Sequence, residues 1–316
     1  MMKKRLGNSS IEISPLVLGG NVFGWTVDEP TSFKLLDAFI SSGFNCIDTA
    51  DIYSIWVSGN RGGESETIIG KWLKRSGNRD QVVIATKVGR EMGPGKKGLS
   101  KSYIHSALEA SLRRLQTDYV DLYQSHTDDP ETPLQETLEA YEELMDEGKI
   151  RAIGASNYSA TRLSETLQVS KEKGLPSYQS LQPLYNLYDR TDFEGELEQV
   201  CSRNGIGVIT YSSLASGFLT GKYRSSEDIS QSPRGSGVRK YLNPRGLRIL
   251  NTLEQVAKKY DSTPSKIALA WLMARPSVTA PIASATNLTQ LNDLIESTTI
   301  ELDRSSIDLL NQLPTR

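Results

Sequence analysis

A carboxylate and a phenol lie just beyond a short apolar run, residues 44–47. Asp48 follows the run directly, and Tyr53 comes five residues after Asp48. If the run is a buried strand, Tyr53 lies on the following loop, where a tyrosine can act as a general acid when a neighbour lowers its pKa from about 10. An isolated aspartate and tyrosine serve equally well to cap a turn and cover a loop, so their partners decide between the two interpretations.

Other apolar runs end in side chains that could be those partners. Lys87 ends one run, and His126 follows another. A lysine at the end of a buried strand is costly unless it is paired, and Asp48 is the nearest candidate. Lys87 beside the Tyr53 hydroxyl would depress the tyrosine pKa, and His126 would orient a carbonyl and donate a hydrogen bond to its oxygen. Taken singly, Asp48 and Lys87 could be a structural ion pair, and His126 could be an ordinary loop residue.

Reduction of a carbonyl also needs hydride, which side chains cannot supply, so these residues would require a cofactor. Hydroxyl and amide groups follow later runs at Ser156, Asn157 and Gln182. Such groups suit the carboxamide of a nicotinamide, and Tyr211 offers a flat face for its ring.

The elements that must position these residues recur regularly. Eight short runs rich in apolar and β-branched residues alternate with helical patterns: residues 16–19, 44–47, 82–87, 119–123, 150–154, 178–182, 207–211 and 279–283. Runs of this kind are typical of parallel strands buried on both faces. In a chain of 316 residues they predict an α/β fold, a closed (β/α)8 TIM barrel whose active site lies at the C-terminal ends of the strands.

Helix and turn signals occupy much of the remaining sequence. The predicted helices cover residues 30–42, 100–115, 132–147 and 159–173, and extra helices near the C-terminus cover residues 251–260 and 265–274. A short N-terminal β-hairpin is expected at residues 6–14. Residues 221–244 are rich in Ser, Gly, Arg and Pro without a period, which is typical of a lid or another long loop. Because no linker divides the chain, residues 1–316 are expected to form one domain.

Composition argues against several classes of protein. Lys and Arg total 36 and Asp and Glu total 38, so the net charge is −2 and no basic excess points to nucleic acid. No apolar stretch of about 18 residues indicates a membrane span, and the basic start is not followed by the apolar segment of a secretory signal. Cys46 and Cys201 are expected to be reduced, buried thiols in the cytoplasm. His105 and His126 are the only histidines and lie in no ligand-spaced cluster, so no metal site is expected.

Six motifs together resemble the aldo-keto reductase superfamily: FNCIDTADIY, VVIATKVG, DYVDLYQSH, IRAIGASN, QPLYN and YSSLASGFLTGKY. They stand in the family's order over nearly the whole chain. The resemblance implies a (β/α)8 barrel that reduces aldehydes and ketones to alcohols with NADPH, less often with NADH. It also implies a catalytic tetrad of Asp48, Tyr53, Lys87 and His126, with hydride from nicotinamide C4 and a proton from Tyr53.

The same resemblance implies a cofactor site. The family's carboxamide-binding residues match Ser156, Asn157 and Gln182, and its stacking aromatic residue matches Tyr211. Its pyrophosphate loop matches Ser212, Ser213, Leu214, Ser216 and Gly217, with Lys222 nearby, and its adenosine-end segment matches Ala283, Ser284, Thr286, Gln290 and Asp293. The remaining predicted cofactor-binding residues are Gly20, Asn21, Trp25 and Asp48.

The final segment lacks the Lys or Arg with which family members often meet the 2′-phosphate of NADP. Ser284, Thr286 and Gln290 are uncharged. Hydroxyls and backbone N–H groups at a helix start can hold a phosphate, and an arginine of the long loop, Arg224, Arg234 or Arg239, could do the same. NADP (as NADPH) is therefore the expected cofactor, and NAD is possible.

Substrate choice and rival functions are less well encoded. Phe23, Trp25 and Trp56 are expected to form the substrate pocket with Tyr53 and His126, which suits a small-molecule carbonyl compound with an apolar body, although aromatic residues also anchor loops. Two alternatives stay open, a lyase that forms a Schiff base on Lys87 and a nucleotide-binding sensor or regulatory module with slow turnover. A Rossmann dehydrogenase is not favoured, because no Y-x-x-x-K occurs. The oligomeric state is not encoded.

Overall fold

In a computed structural model, which describes residues 2–231 and 235–315, the chain begins with an antiparallel hairpin of β1 (Lys4–Arg5) and β2 (Glu12–Ile13). Leu6, Ile11 and Ile13 of this hairpin are buried in one apolar cluster with residues of the barrel strands. Gly7 has a φ of +60° and lies against the Gln179 carbonyl, so tightly that a Cβ would meet the oxygen at 2.1 Å. The hairpin therefore covers the N-terminal end of the barrel, and glycine is required where it turns.

Eight parallel strands form the closed barrel. They are β3 (Val17–Gly19), β4 (Cys46–Asp48), β5 (Val83–Val88), β6 (Val120–Ser125), β7 (Ile150–Ser156), β8 (Ser180–Gln182), β9 (Gly207–Thr210) and β10 (Ala280–Ala283). Closure is completed by β10, which pairs with β9 on one side and β3 on the other. The predicted (β/α)8 barrel is confirmed, and each predicted apolar run overlaps one strand.

Helices surround the barrel, with additional helices near the C-terminus. They are α1 (Glu29–Ser41), α2 (Glu64–Ser76), α3 (Lys101–Leu115), α4 (Leu134–Asp146), α5 (Ala160–Lys173), α6 (Glu196–Asn204), α7 (Pro244–Lys259), α8 (Pro264–Ala274), α9 (Leu288–Glu296) and α10 (Arg304–Asn311). Side-chain caps start several of them, including Asp28 before α1 and Ser159 before α5. Within the described ranges, no helix has the length and apolar character that crossing a membrane requires.

The segment 221–244 and the start of α7 differ from the sequence expectation. Short 3-10 helices, Ser226–Gln231 and Gly235–Tyr241, occupy much of the segment that was expected to lack regular structure. In addition, α7 begins at Pro244 and not at residue 251. The sequence carried the signal, since Asn243 caps the helix by accepting from the Gly246 N–H at 3.0 Å and proline favours the first turn. The organisation of residues 1–316 as one domain stays a prediction.

A polar cavity of about 380 Å³ opens at the N-terminal end of the strands, opposite the expected active site. Asp121 in its wall accepts from Arg79 at 2.9 Å and from Arg151 at 2.8 Å. The two guanidinium groups also lie over the Tyr119 ring, at 3.7 Å and 4.1 Å from its centroid. Since these charges are already paired with one another, the cavity is better explained as an ion network that ties β5, β6 and β7 together.

We expect Asn243→Ala to remove the cap of α7 and to lower the free energy of unfolding by about 1 kcal/mol. Urea unfolding of both proteins measures the difference. Asn243→Ser is the matched control, because serine keeps an accepting oxygen but loses the amide donations to Tyr188 and Lys240. Equal destabilisation by the two variants would assign the role of Asn243 to those donations and not to the helix start.

Candidate active site

The polar residues of the site form one layer of the barrel interior. Side chains alternate between the two faces of a strand, so residues two apart point the same way. Cys46, Ala85 and Leu122 lie in the interior cluster that packs on the hairpin. Two residues further along the same strands stand Asp48, Lys87 and Gln124. The C-terminal end of the interior is therefore polar, whereas the N-terminal end is apolar.

Lys87 is the centre of this layer. Its ammonium group is fully buried and donates to both carboxylate oxygens of Asp48 at 2.7 Å and to the Thr49 carbonyl at 2.7 Å. It also lies 3.3 Å from the Tyr53 hydroxyl. Burial alone would lower the pKa of Lys87, but the Asp48 carboxylate and the Tyr53 oxygen outweigh burial and raise it. Lys87 is consequently charged at neutral pH.

The pKa of Tyr53 moves in the direction opposite to the sequence expectation. Burial of the hydroxyl raises the pKa above its usual value, although Lys87 acts to lower it as expected. The expected net depression is therefore not found, because removing a phenolate from water costs more than one ammonium at 3.3 Å returns. At neutral pH the phenol keeps its proton, which is the state that a proton donor needs.

His126 is also neutral. Burial lowers its pKa well below the usual value, and the positive charges of Lys87 and Arg90 add to the effect. Its backbone is held at both ends, since its N–H donates to Val88 at 2.8 Å and its carbonyl accepts from the Asn157 amide at 2.8 Å. The imidazole packs edge-on against Tyr53, with 5.9 Å between ring centroids. A neutral imidazole in this position can donate a hydrogen bond to a carbonyl oxygen.

Gln182 links the far side of the barrel to the tetrad. Its amide nitrogen donates to Asp48 at 2.8 Å and lies 3.3 Å from the Gln124 oxygen. Ser156 donates to the Gln182 carbonyl at 2.8 Å. Gln124 was not among the predicted site residues, yet its amide nitrogen is buried without a partner in the described ranges. The period of two along β6, which puts Gln124 on the face of Leu122, was the signal that could have revealed it.

The predicted nicotinamide-stacking residue is fixed by a neighbour. Tyr211 donates its hydroxyl proton to the Asn157 side-chain oxygen at 2.8 Å. Asn157 also donates to the Ser156 hydroxyl at 3.1 Å. The structure thus brings Ser156, Asn157, Gln182 and Tyr211 together on one side of the tetrad.

The segment after β9 turns tightly and carries one lysine. Ser212, Ala215, Ser216 and Gly217 all have positive φ angles, of 53°, 50°, 58° and 94°. Left-handed residues permit tight turns and are strained in residues other than glycine, and here the Ala215 and Gly217 N–H groups donate to the Ser212 and Leu214 carbonyls at 2.7 Å and 2.9 Å. The Lys222 ammonium lies beside Gly217, at 3.9 Å from where a Cβ would stand. This geometry fits a pyrophosphate, as the sequence comparison with the family implied for Ser212–Gly217 and Lys222, whereas Ser213 turns its hydroxyl inward to Thr210.

The adenosine-end segment is polar but uncharged at its start. Ser284 donates to Asn21 at 2.6 Å, and the Gln290 side chain accepts from both the N–H and the hydroxyl of Thr286. Asp293 pairs with Lys266 at 3.1 Å. Ala283, Gly20 and Asn21 stand at the ends of β10 and β3, which are neighbours in the barrel.

The candidate arginines for a 2′-phosphate are not equivalent. Arg224 is already engaged by Glu254 and by Asn251. Arg239 is exposed, with no ion pair in the described part of the chain. Arg234 lies outside the described residues.

The expected aromatic pocket is only partly present. Trp56 is 47% exposed and its ring lies 5.8 Å from Tyr53, and Trp25 packs edge-on against Trp56 at 5.7 Å. Leu214, which was predicted to bind the pyrophosphate from the segment after β9, is partly buried. Phe23, in contrast, is fully buried in the main core and packs inward at the start of the loop after β3. A role for Phe23 in the substrate pocket stays a prediction.

Asp51, between Asp48 and Tyr53, is a buried carboxyl group that the sequence did not single out. It is 1% exposed, and neither oxygen has a hydrogen-bond partner among the described residues. Burial, reinforced by the negative charge of Glu66, raises its pKa well above the usual value. Glu66 itself accepts from Arg114 at 2.7 Å and from Thr86 at 2.5 Å. Arg114 is engaged by Glu66, so burial outweighs the effects of Arg114, the Ile52 N–H and Lys87, and the neutral form of Asp51 is favoured.

Comparison with known proteins agrees with this architecture. The model of the Aldo/keto reductase family matches residues 15–314. The uncharacterized oxidoreductase YrpG of Bacillus subtilis is 35% identical, over 98% of this chain and 94% of its own length. Aldo-keto reductase YhdN of the same species is 34% identical, over 92% and 85%. A probable voltage-gated potassium channel subunit beta of Oryza sativa subsp. japonica is 34% identical, over 92% and 89%.

The barrel and these relatives define a (β/α)8 protein of the oxidoreductase class. The chain belongs to the aldo/keto reductase family. Members of this family generally use nicotinamide cofactors and act on small-molecule carbonyl compounds.

We expect Asp51→Asn to change how stability depends on pH. The carboxyl titrates near pH 4 in the unfolded chain but at higher pH when folded, so the folded chain holds an extra proton over that window. The free energy of unfolding of the native protein therefore falls as pH rises through the window. Asparagine cannot ionise, so between about pH 5 and pH 8 the variant gains about 1–3 kcal/mol relative to the native protein.

Urea unfolding at several pH values measures this difference. Asp37→Asn is the control, because Asp37 is half exposed and paired with Arg75. Parallel pH dependences for the native protein and Asp51→Asn would mean that Asp51 ionises at its ordinary pH and that the buried neutral form does not exist.

Proposed function

We propose that the protein reduces aldehydes or ketones to alcohols with NADPH. The observation that carries the proposal is the set of contacts around Lys87, which joins Asp48 and Tyr53 at the C-terminal end of the barrel. In (β/α)8 enzymes this end holds the active site.

Each member of the tetrad has a distinct task in this proposal. A nicotinamide held by Ser156, Asn157, Gln182 and Tyr211 would supply the hydride that the carbonyl carbon needs. Tyr53 gives its hydroxyl proton to the carbonyl oxygen, and the phenolate that remains is stabilised by Lys87. Asp48 holds Lys87 in place, so the ammonium needs no rearrangement during the reaction. Neutral His126 orients the carbonyl by donating a hydrogen bond to its oxygen.

The cofactor-binding residues follow from the same layer and the segment after β9. Ser156, Asn157 and Gln182 would hold the carboxamide, and Tyr211 would lie against the ring. The tightly turned segment Ser212–Gly217 would bind the pyrophosphate together with Lys222, whose positive charge matches the negative charge of the pyrophosphate. The residues proposed for the rest of the dinucleotide are Gly20, Asn21, Trp25, Ala283, Ser284, Thr286, Gln290 and Asp293.

NADPH is proposed over NADH by the habit of the family. Arg239 is the cation we propose for the 2′-phosphate, because it is exposed and Arg224 is engaged elsewhere. The 3-10 helix Gly235–Tyr241, which carries Arg239, lies near the segment Ser212–Gly217, since a Cβ on Gly237 would stand 3.3 Å from the Ser216 hydroxyl.

Two other functions can be weighed against these contacts. A Schiff-base lyase is disfavoured, because Lys87 is charged and its protons are shared among Asp48, Thr49 and Tyr53. A nucleotide-binding regulatory module with slow turnover has some support, since one relative is named as a potassium channel subunit beta. Such a module would bind cofactor as tightly as an enzyme but turn over slowly.

The setting of the protein is also a proposal. Free, buried Cys46 and Cys201 are compatible with a reducing cytoplasm. The proposal also includes one domain of residues 1–316 and a small-molecule partner. It assigns no role to nucleic acid or to a membrane.

We expect Tyr53→Phe to lower kcat for aldehyde reduction by about 10²–10⁴-fold, because the proton donor is lost, while cofactor binding changes little. Steady-state reduction of 4-nitrobenzaldehyde and fluorescence titration with NADPH measure the two quantities. Tyr119→Phe is a control, since Tyr119 precedes β6 and packs on Arg79 and Arg151 at the opposite end of the barrel. Undiminished turnover by Tyr53→Phe would remove Tyr53 from the reaction.

We expect NADPH to quench tryptophan fluorescence at lower concentration than NADH. The preference should come mainly from the contact with the 2′-phosphate. Arg239→Gln should therefore raise the Kd of NADPH about tenfold and change the Kd of NADH little. Titration of the native protein and of Arg239→Gln with both cofactors measures the four Kd values. Equal binding of the two cofactors would make the uncharged Ser284–Gln290 segment decisive and the site indifferent to the phosphate. Binding of neither would remove the cofactor site and the reductase with it.

A further inference from the structure

Arg90 stands at the edge of the candidate active site. It follows the end of β5 at Val88, whose carbonyl accepts the His126 N–H at 2.8 Å. The loop 89–98 is closed by the Gly98 N–H, which donates to the Gly89 carbonyl at 2.9 Å. Arg90 therefore lies at the base of this loop, beside His126, and not at its solvated tip.

The guanidinium charge reaches the reacting groups. It lowers the pKa of His126, in addition to the larger effects of burial and of Lys87. It also opposes the burial that raises the pKa values of Tyr53 and Tyr211. These three side chains surround the position proposed for the substrate carbonyl. Within residues 2–231 and 235–315, Arg90 has neither an ion pair nor a side-chain hydrogen bond, and it is exposed.

The charges around Arg90 are mostly paired with others, although the Asp129 carboxylate, which lies against Gly98 at the base of the loop, is bound only by N–H and hydroxyl groups among the described residues. Lys87 is neutralised by Asp48. In the loop after β6, Asp128 pairs with Arg162 at 2.7 Å, and Asp129 accepts from the Leu99 N–H at 2.7 Å.

Two further carboxylates act on Tyr211, those of Asp189 and Asp192. Asp189 is bound by Tyr241 at 2.7 Å and by Lys240 at 3.3 Å. No carboxylate acts on His126. The charges that act on His126, those of Lys87 and Arg90, are both positive.

The two loops nearest the tetrad add to this charge. Residues 52–63 and 89–98 together carry Arg61, Arg90, Lys96 and Lys97 against the acid Glu91 and the Glu64 carboxylate, which is bound by N–H groups of the first loop. A positive rim of this kind attracts anions and raises their local concentration. An arginine fork is also matched in shape to a carboxylate, which it can bind through two parallel hydrogen bonds.

We propose that Arg90 binds a carboxylate on the substrate, so that the natural substrates are oxo acids: aldehydes or ketones that also carry an acid group. The proposal rests on the proposed reductase function. The carbonyl lies at Tyr53 and His126, the carboxylate lies on Arg90, and the part between them contacts the exposed Trp56. Arg90 is a binding residue here and takes no part in proton transfer.

Two aldehydes of the same shape test the proposal, 4-carboxybenzaldehyde and 4-formylbenzamide, each with NADPH. We expect the native protein to prefer the acid in kcat/KM. Arg90→Gln should lower the ratio of acid to amide by about tenfold to a hundredfold, mainly through KM for the acid, because a charge-assisted pair is lost. Arg90→Lys should recover part of the ratio, and salt should reduce it in the native protein.

Arg248→Gln is the matched control, since Arg248 is exposed on α7. It should leave the ratio unchanged. If Arg90→Gln also leaves the ratio unchanged while both aldehydes are reduced, the carboxylate site is refuted and the reductase function stands. If Arg90→Gln lowers kcat/KM for both aldehydes equally, Arg90 acts through Tyr53 and His126, which also overturns the inference. If the native protein reduces neither aldehyde with NADPH or NADH, the proposed function fails and the inference with it.

Discussion

The buried ion pair of Lys87 and Asp48 is the constraint on which the rest of the site depends. Removing an ammonium group from water costs several kcal/mol unless its donors are satisfied. Lys87 meets this condition only because β4 and β5 are neighbours in parallel register, which sets the Asp48 carboxylate at 2.7 Å. Gln182 then donates to the same carboxylate from β8. One carboxylate thus joins strands that are not neighbours, and the polar layer is fixed by the barrel itself.

Burial has opposite consequences for charge on different members of this layer. Lys87 keeps its charge because the Asp48 carboxylate beside it outweighs burial, whereas burial is the largest effect on Tyr53 and His126, which are neutral. The site therefore holds two neutral hydrogen-bond donors beside one balanced ion pair. An oxygen that gains negative charge during a reaction would meet donors already in position, which is the arrangement that lowers a barrier without reorganisation.

Much of the fold and of the site could be predicted, for a physical reason. Short apolar runs locate strands, and the residue that ends each run lies at the C-terminal end of the barrel, so Asp48 and Lys87 could be identified without coordinates. The net pKa shift of Tyr53 could not be predicted, since it is a difference between burial and a charge at a particular distance. Nor could the inward turn of Phe23 or the isolation of Asp51, which depend on how loops pack.

Chemistry and charge recognition make different demands on precision, and the chain divides them between strands and loops. Proton transfer requires atoms placed to within a few tenths of an ångström, which hydrogen-bonded strands provide for Lys87 and Asp48. Coulomb attraction falls only as the inverse of distance, so a guanidinium on a loop still acts on several groups without exact placement. Arg90 acts on Tyr53, His126 and Tyr211 in this way from beyond the end of β5. A change in the loop at Arg90 therefore alters this charge while Asp48 and Lys87 stay fixed on their strands.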